Sequence, residues 1–130
     1  RGFLHSHSYT GNPLACRAAL ATLEIFEQQD TLARNAVLAR ALDEALAPLT
    51  RHARVRHARH LGMIWAWDVE TALPDFASRY HHHSMARGLL LRPIGRTIYA
   101  MPPYVLDAEA VQCLAQGALA ALEATLAEEE

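Results

Sequence analysis

Two short segments of this chain concentrate groups that hold anions. The first is Ser6-His7-Ser8-Tyr9-Thr10-Gly11-Asn12-Pro13, where hydroxyls run into an Asn-Pro pair. Asn is a favoured helix N-cap and Pro a favoured first helical residue, so a helix should begin here. The unpaired amides and positive dipole end of that helix, beside Ser6, Ser8, Tyr9 and Thr10, suit a phosphate or a carboxylate. Many helices begin this way and bind nothing, so a plain cap remains the alternative. The second segment is Leu91-Arg92-Pro93-Ile94-Gly95-Arg96-Thr97-Ile98-Tyr99-Ala100-Met101-Pro102-Pro103-Tyr104. A residue before proline is pushed to extended backbone, so Arg92 should project from a rigid strand end. Its guanidinium can take a carboxylate through two parallel hydrogen bonds, or it can serve an ordinary surface salt bridge. Tyr99, beyond the turn at Pro93-Ile94-Gly95, can reach the same pocket or cap the sheet core.

Other reactive groups carry less. The chain has no lysine; all 12 of its Lys and Arg residues are arginine. Consecutive side chains on a helix point about 100° apart, so His81-His82-His83 cannot ligate one ion from one face. His5 and His7 could share a strand face, but no Cys or carboxylate joins either group at zinc-site spacing. We read these histidines as solvated and expect no metal. A Gly-x-Ser-x-Gly elbow, a phosphate-binding glycine loop and a Cys-x-x-Cys pair are all missing. The carboxylates read as solvated helix faces, so self-contained nucleophilic catalysis is unsupported. The basic stretch from Arg51 to His60 could be a nucleic-acid patch, but it lacks interleaved aromatic residues for base stacking. A solvated strand with its approach loop is the favoured account.

The elements that must position these groups follow from length and pattern. With 130 residues, 52% hydrophobic and a net charge of −2, the chain fits one globular domain and gives no reason to expect nucleic acid or membrane as a partner. Cys16 and Cys113 read as buried free thiols of a reducing cytosol. No apolar run reaches spanning length and no signal peptide opens the chain. It begins Arg1-Gly2-Phe3-Leu4 without an initiating Met, which reads as a piece of a longer protein.

Leu14, Ala18, Ala21, Ile25 and Phe26 predict a first helix with a core stripe, and Leu38, Leu42, Ala45 and Leu49 a second, with Pro48 near its end. A short polar strand is expected over residues 54–59. A better one covers 62–70, with Met63, Trp65, Trp67 and Val69 on one face and Ile64, Ala66 and Asp68 on the other. A weaker helix over 73–87 should end at Gly88. Two short strands follow at 89–91 and 96–101. The last helix begins near Asp107, buries Val111, Leu114, Ala118 and Leu122, and frays at Glu128-Glu129-Glu130. This order implies an α+β fold: a small, mainly antiparallel sheet with helices packed on one side.

The segment from Ser8 to Cys16 resembles the stretch that follows the catalytic lysine in class III pyridoxal-phosphate aminotransferases. By itself it fits ornithine, acetylornithine or other ω-amino transaminases alike. Arg92-Pro93-x-Gly95-x-x-Ile98-Tyr99-x-Met101-Pro102-Pro103-Tyr104 is more selective. It is similar to the C-terminal signature of the adenosylmethionine-8-amino-7-oxononanoate aminotransferase family, which moves an amino group from S-adenosylmethionine to 8-amino-7-oxononanoate in biotin biosynthesis. Together with the order of elements, the resemblance covers essentially all of the chain. It implies a cytoplasmic homodimer of fold-type I subunits. Residues 1–12 would form an active-site and interface loop, and 13–130 the small C-terminal α+β domain beside a large cofactor domain.

On that resemblance Ser8 would donate to the phosphate of pyridoxal 5'-phosphate held by a second identical subunit, with the His7 backbone beside it. Ser6 would lie near the substrate carboxylate, Arg92 would bind it, and Tyr99 would line the pocket. Ser6-His7-Ser8 stands where Gly-Pro-Thr is commoner, keeping the hydroxyl but losing a methyl and a small residue. The Schiff-base lysine that the family requires is not among these residues. The segment alone should therefore be inactive and should not hold the cofactor covalently. A non-catalytic binding or oligomerisation module is the alternative from another functional class.

Overall fold

The computed structural model describes residues 2, 5–8 and 10–129. Arg1, Phe3, Leu4, Tyr9 and Glu130, all named above, lie outside them. The elements are α1 (Pro13–Gln28), α2 (Thr31–Thr50), β1 (Val55–Leu61), β2 (Ile64–Val69), α3 (Phe76–Met85), β3 (Thr97–Ala100) and α4 (Ala108–Leu126), closed by a 3-10 turn at Ala127–Glu129. They fall into two compact units, residues 1–34 and 35–130.

In the first unit α1 starts at Asn12-Pro13 as the sequence predicts. Asn12 Oδ1 accepts from the Leu14 and Ala15 amides at 3.0 and 3.1 Å, and Asn12 O accepts from the Cys16 amide at 3.0 Å. The expected core stripe is not core: α1 has no buried residue, and Leu14, Leu23 and Ile25 are exposed. Wound at about 3.6 residues per turn, apolar side chains occupy more than half its circumference, with Arg17, Glu24, Glu27 and Gln28 on the remainder. Apolar periodicity marks the side that needs covering; it does not supply the cover. Cys16 is exposed for the same reason, and Cys113 lies on the exposed side of α4, so neither thiol is buried.

The second unit is built on a three-stranded antiparallel sheet in the order β1-β2-β3. Alternation along β2 buries Trp65, Trp67 and Val69, with Met63 just before them, and turns Ile64, Ala66 and Asp68 the other way. Ile98 and Ala100 of β3 join the buried face. Leu42, Leu46 and Leu49 of α2 and Val111, Ala115, Ala118 and Leu122 of α4 complete the core, together with Phe76 and Tyr80 of α3. Tyr80 donates to the Ala118 carbonyl at 3.1 Å, and burial pushes its phenol well above the usual range. This is the α+β architecture that the sequence implies.

α4 is long and apolar enough, by length and composition alone, to cross a membrane, which corrects the expectation that no run reaches that length. Here its apolar stripe is packed in the core. The basic stretch is strand and approach loop, with Arg54, Arg56 and Arg59 paired to Glu129, Glu70 and Asp68.

Two further expectations fail. Residues 89–91 form no strand, because their polar groups are spent on α3: the Leu89 amide donates to Ser84 O at 2.9 Å, and Leu91 O is taken by His81 and Ser84. This arm passes close over α4 at Gly117, where a Cβ would come within 2.6 Å of Leu89 Cδ1. The acidic end does not fray at Glu128 and Glu129 either. Glu129 accepts from Arg54, from the Thr71 hydroxyl and from the Ala72 amide; Glu128 accepts from Arg79 and pairs with His83 at 2.7 Å. His81 and His83 are therefore half-buried and bonded, contrary to the solvated reading, and only His82 of the run is exposed.

Thr71, then Ala72 and Arg54, hold Glu129 below its ordinary value, while Arg79 and then His83 do so for Glu128. A lowered folded-state value means the stabilisation is complete above the ordinary 4.5 and drains as pH falls through the folded value. Glu129→Gln should lower the melting temperature at pH 7, and the gap to the parent should narrow as pH falls below the ordinary 4.5. Thermal melts across that range check it, and a pH-independent gap would contradict it. Asn12→Ala should weaken the start of α1 by about 1 kcal/mol, read as faster amide exchange at Leu14 and Ala15.

Candidate functional site

The Ser6–Ser8 loop belongs to the first unit, and Ser6, His7 and Ser8 are all exposed. Its shape is set by Thr10, whose Oγ1 accepts from the His7 amide at 2.8 Å while the Thr10 amide donates to His7 O at 2.9 Å. This reciprocal pair closes a tight turn that carries Ser8 at its bend. The Ser6 and Ser8 hydroxyls have no hydrogen-bond partner among the described residues. The helix start itself is not an open anion site. Asn12 has taken the Leu14 and Ala15 amides, and Pro13 has none to offer. An anion at this loop would be held by hydroxyls, not by the helix amides that the sequence suggests.

Arg92 and Tyr99 lie in the second unit, where one hairpin carries both. Ile94 and Thr97 exchange two backbone hydrogen bonds of 2.8 and 3.0 Å, closing a two-residue turn of Gly95 and Arg96. The turn thus falls one residue later than the expected Pro93-Ile94-Gly95. Gly95 has φ 60°, and Arg96 is not left-handed, the pattern of a type II′ turn, in which the first central position favours glycine. Arg92 and Tyr99 stand two residues out on either side of that closure.

Arg92 is exposed and, among the described residues, has neither a hydrogen bond nor an ion pair. The surface salt bridge that competed for it is therefore not made among the described residues. Leu90, Ile94 and Met101 on the same segment are exposed as well. Tyr99 pairs with Ala66 of β2 and alternates with buried Ile98 and Ala100, which turns its ring onto the sheet face away from the core.

That face holds what the sequence reading missed. Asp68 Oδ1 accepts from Thr97 Oγ1 at 2.8 Å; Asp68 Oδ2 meets His57 Nδ1 at 3.0 Å and Arg59 at 3.5 Å. The Thr97 hydroxyl, then His57 and Arg59, keep the Asp68 carboxyl below its ordinary 3.8 against the opposing effect of burial. His57 reaches in from a bulge between Arg56 and Arg59, with φ 48°. A carboxylate alternating with two tryptophans was the available signal, but its partners depend on register. The Arg96 side chain, at the turn, also has no hydrogen bond or ion pair among the described residues, although the Arg96 carbonyl accepts from the Val69 amide at 2.9 Å.

Comparison with known proteins agrees with this architecture. The chain is 41% identical over 128 residues to the adenosylmethionine-8-amino-7-oxononanoate aminotransferase of Helicobacter pylori, covering 95% of this chain and 29% of that protein. Among solved structures it is similar to the enzyme of the same name from Methanocaldococcus jannaschii, at 27% identity and a TM-score of 0.83, covering 94% of this chain and 30% of that one. It is also similar to an (S)-enantioselective ω-transaminase from Thermomicrobium roseum, at 26% identity and a TM-score of 0.85, covering 97% and 30%. The chain thus spans about 30% of the length of each relative. The model of the aminotransferase class-III family matches residues 2–122, nearly the whole chain, and the chain belongs to that family.

Proposed function

We propose that this chain is the C-terminal part of a transaminase that moves an amino group from S-adenosylmethionine to 8-amino-7-oxononanoate in biotin biosynthesis. The observation that carries the reading is Arg92: an exposed guanidinium without a partner among the described residues, beside a closed turn, with exposed Leu90 and Ile94 near it in sequence. Such a group suits a carboxylate at the end of an aliphatic chain, the chemistry of that acceptor. The name of the Helicobacter pylori relative supports the substrate pair.

Class III aminotransferases are pyridoxal-phosphate enzymes. When bound, the cofactor supplies the electron sink for amino transfer. The donor set of this chain fits only its phosphate end. Ser8 offers a hydroxyl with no partner among the described residues, and no lysine amine is present in this sequence for the carbonyl end. On this reading the enzyme is a cytoplasmic homodimer. Ser8 donates to the phosphate held by the other subunit, with His7 backbone alongside. Ser6 and Arg92 face the substrate carboxylate, and Tyr99 walls the pocket. α1 favours a part of a larger enzyme over a free-standing module, because a helix apolar round most of its girth is built to be covered. The likeness to the Thermomicrobium roseum ω-transaminase favours a second reading, in which the chemistry is kept and the acceptor changes.

In the full-length enzyme, Arg92→Ala should raise KM for the carboxylated acceptor roughly 30-fold or more, the cost of stranding one partner of a charged pair. Steady-state kinetics on a folded variant measure it, and an unchanged KM would sink the carboxylate clamp. Ser8→Ala should weaken cofactor binding roughly tenfold or more, the worth of one hydrogen bond to a charged group. Equilibrium titration of the apoenzyme with cofactor reads this directly.

A further inference from the structure

Arg92 has no bonded partner among the described residues, so its place depends on what holds the two arms of its hairpin. The incoming arm, residues 89–91, has no strand pairing. It is held by α3: His81 Nδ1 lies 2.7 Å from Leu91 O, and Ser84 Oγ lies 3.4 Å from the same oxygen. A carbonyl only accepts, so His81 donates from Nδ1, which selects one tautomer. Leu91 is 6% exposed, so this bond anchors the arm at a buried point directly before Arg92.

The outgoing arm is held as well. Thr97 closes the turn with Ile94, and its hydroxyl donates to Asp68 at 2.8 Å. Asp68 is braced in turn by His57 and Arg59 from β1. His57 does so from a left-handed backbone at a bulge, a conformation that costs free energy and persists where its surroundings demand it.

Resting on the reading of Arg92 as the acceptor's carboxylate clamp, we propose that His81 and Thr97 are positioning residues for that guanidinium. His81 fixes the arm before it through the Leu91 carbonyl, and Thr97 fixes the arm after the turn through Asp68. The two points together present Arg92 in one place before substrate arrives, so little ordering remains to be paid on binding.

The test is made in the full-length enzyme, with the carboxylated acceptor and with a decarboxylated analogue of equal chain length. His81→Leu and Thr97→Val should each raise KM for the carboxylated acceptor about 5- to 20-fold, with kcat within about twofold. KM for the decarboxylated analogue should not move. His81→Asn, which keeps a donor near Nδ1, and Thr97→Ser, which keeps the hydroxyl, should restore the parent value. Arg92→Ala run alongside separates the two levels: if it leaves acceptor KM unchanged, the clamp reading itself fails. If Arg92→Ala raises KM but either His81→Leu or Thr97→Val does not, the two-point positioning is wrong. A parallel loss on both acceptors with a lower melting temperature marks a structural role only and also overturns it.

Discussion

The second unit depends on one constraint, the period-two alternation of β2. With Trp65, Trp67 and Val69 committed to the core, Ala66 and Asp68 must face the other way, and antiparallel pairing carries the same choice to β3. A slip of one residue would bury Asp68 and expose both tryptophans. The helices α2 and α4 cover the apolar face, so the uncovered face is where Thr97 and Tyr99 emerge. The polar side of the sheet is thus dictated by the packing on its other side. One donor is left over, since Trp67 Nε1 is buried without a partner among the described residues.

Such local signals were legible in the sequence. The two faces of β2, the Asn12-Pro13 start of α1, the start of α4 near Asp107 and the stripe of α2 all follow from neighbours a few residues away. So did Gly88, which ends the α3 region at φ 74°. What escaped depends on partners far along the chain. The Leu89-Leu90-Leu91 run has strand composition, but His81 and Ser84 claim its carbonyl. Glu128 and Glu129 look like a fraying acidic end until Arg79 and Arg54 are brought beside them. The stripe of α1 was read correctly as apolar and wrongly as core.

For the candidate site the same division holds. The peculiarity of Arg92 could be read from Pro93 alone, and the structure adds that no carboxylate among the described residues pairs with it. Asp68 could not be singled out, because its meaning comes from Thr97 across the sheet and from a bulge that no composition signals. The Ser8 loop shows the reverse. Its helix start advertised free amides, yet Asn12 had already satisfied them, so capping and anion binding were alternatives drawing on the same donors.

Gly117 gives α4 an unexpected relation to the hairpin. The notch it leaves is filled by Leu89, three residues before Arg92, and a single methyl there would sit 2.6 Å from Leu89 Cδ1. Position 117 therefore works as a shim seat. The size of one side chain on α4 thus bears on how Leu89 can pack there, three residues before a surface arginine.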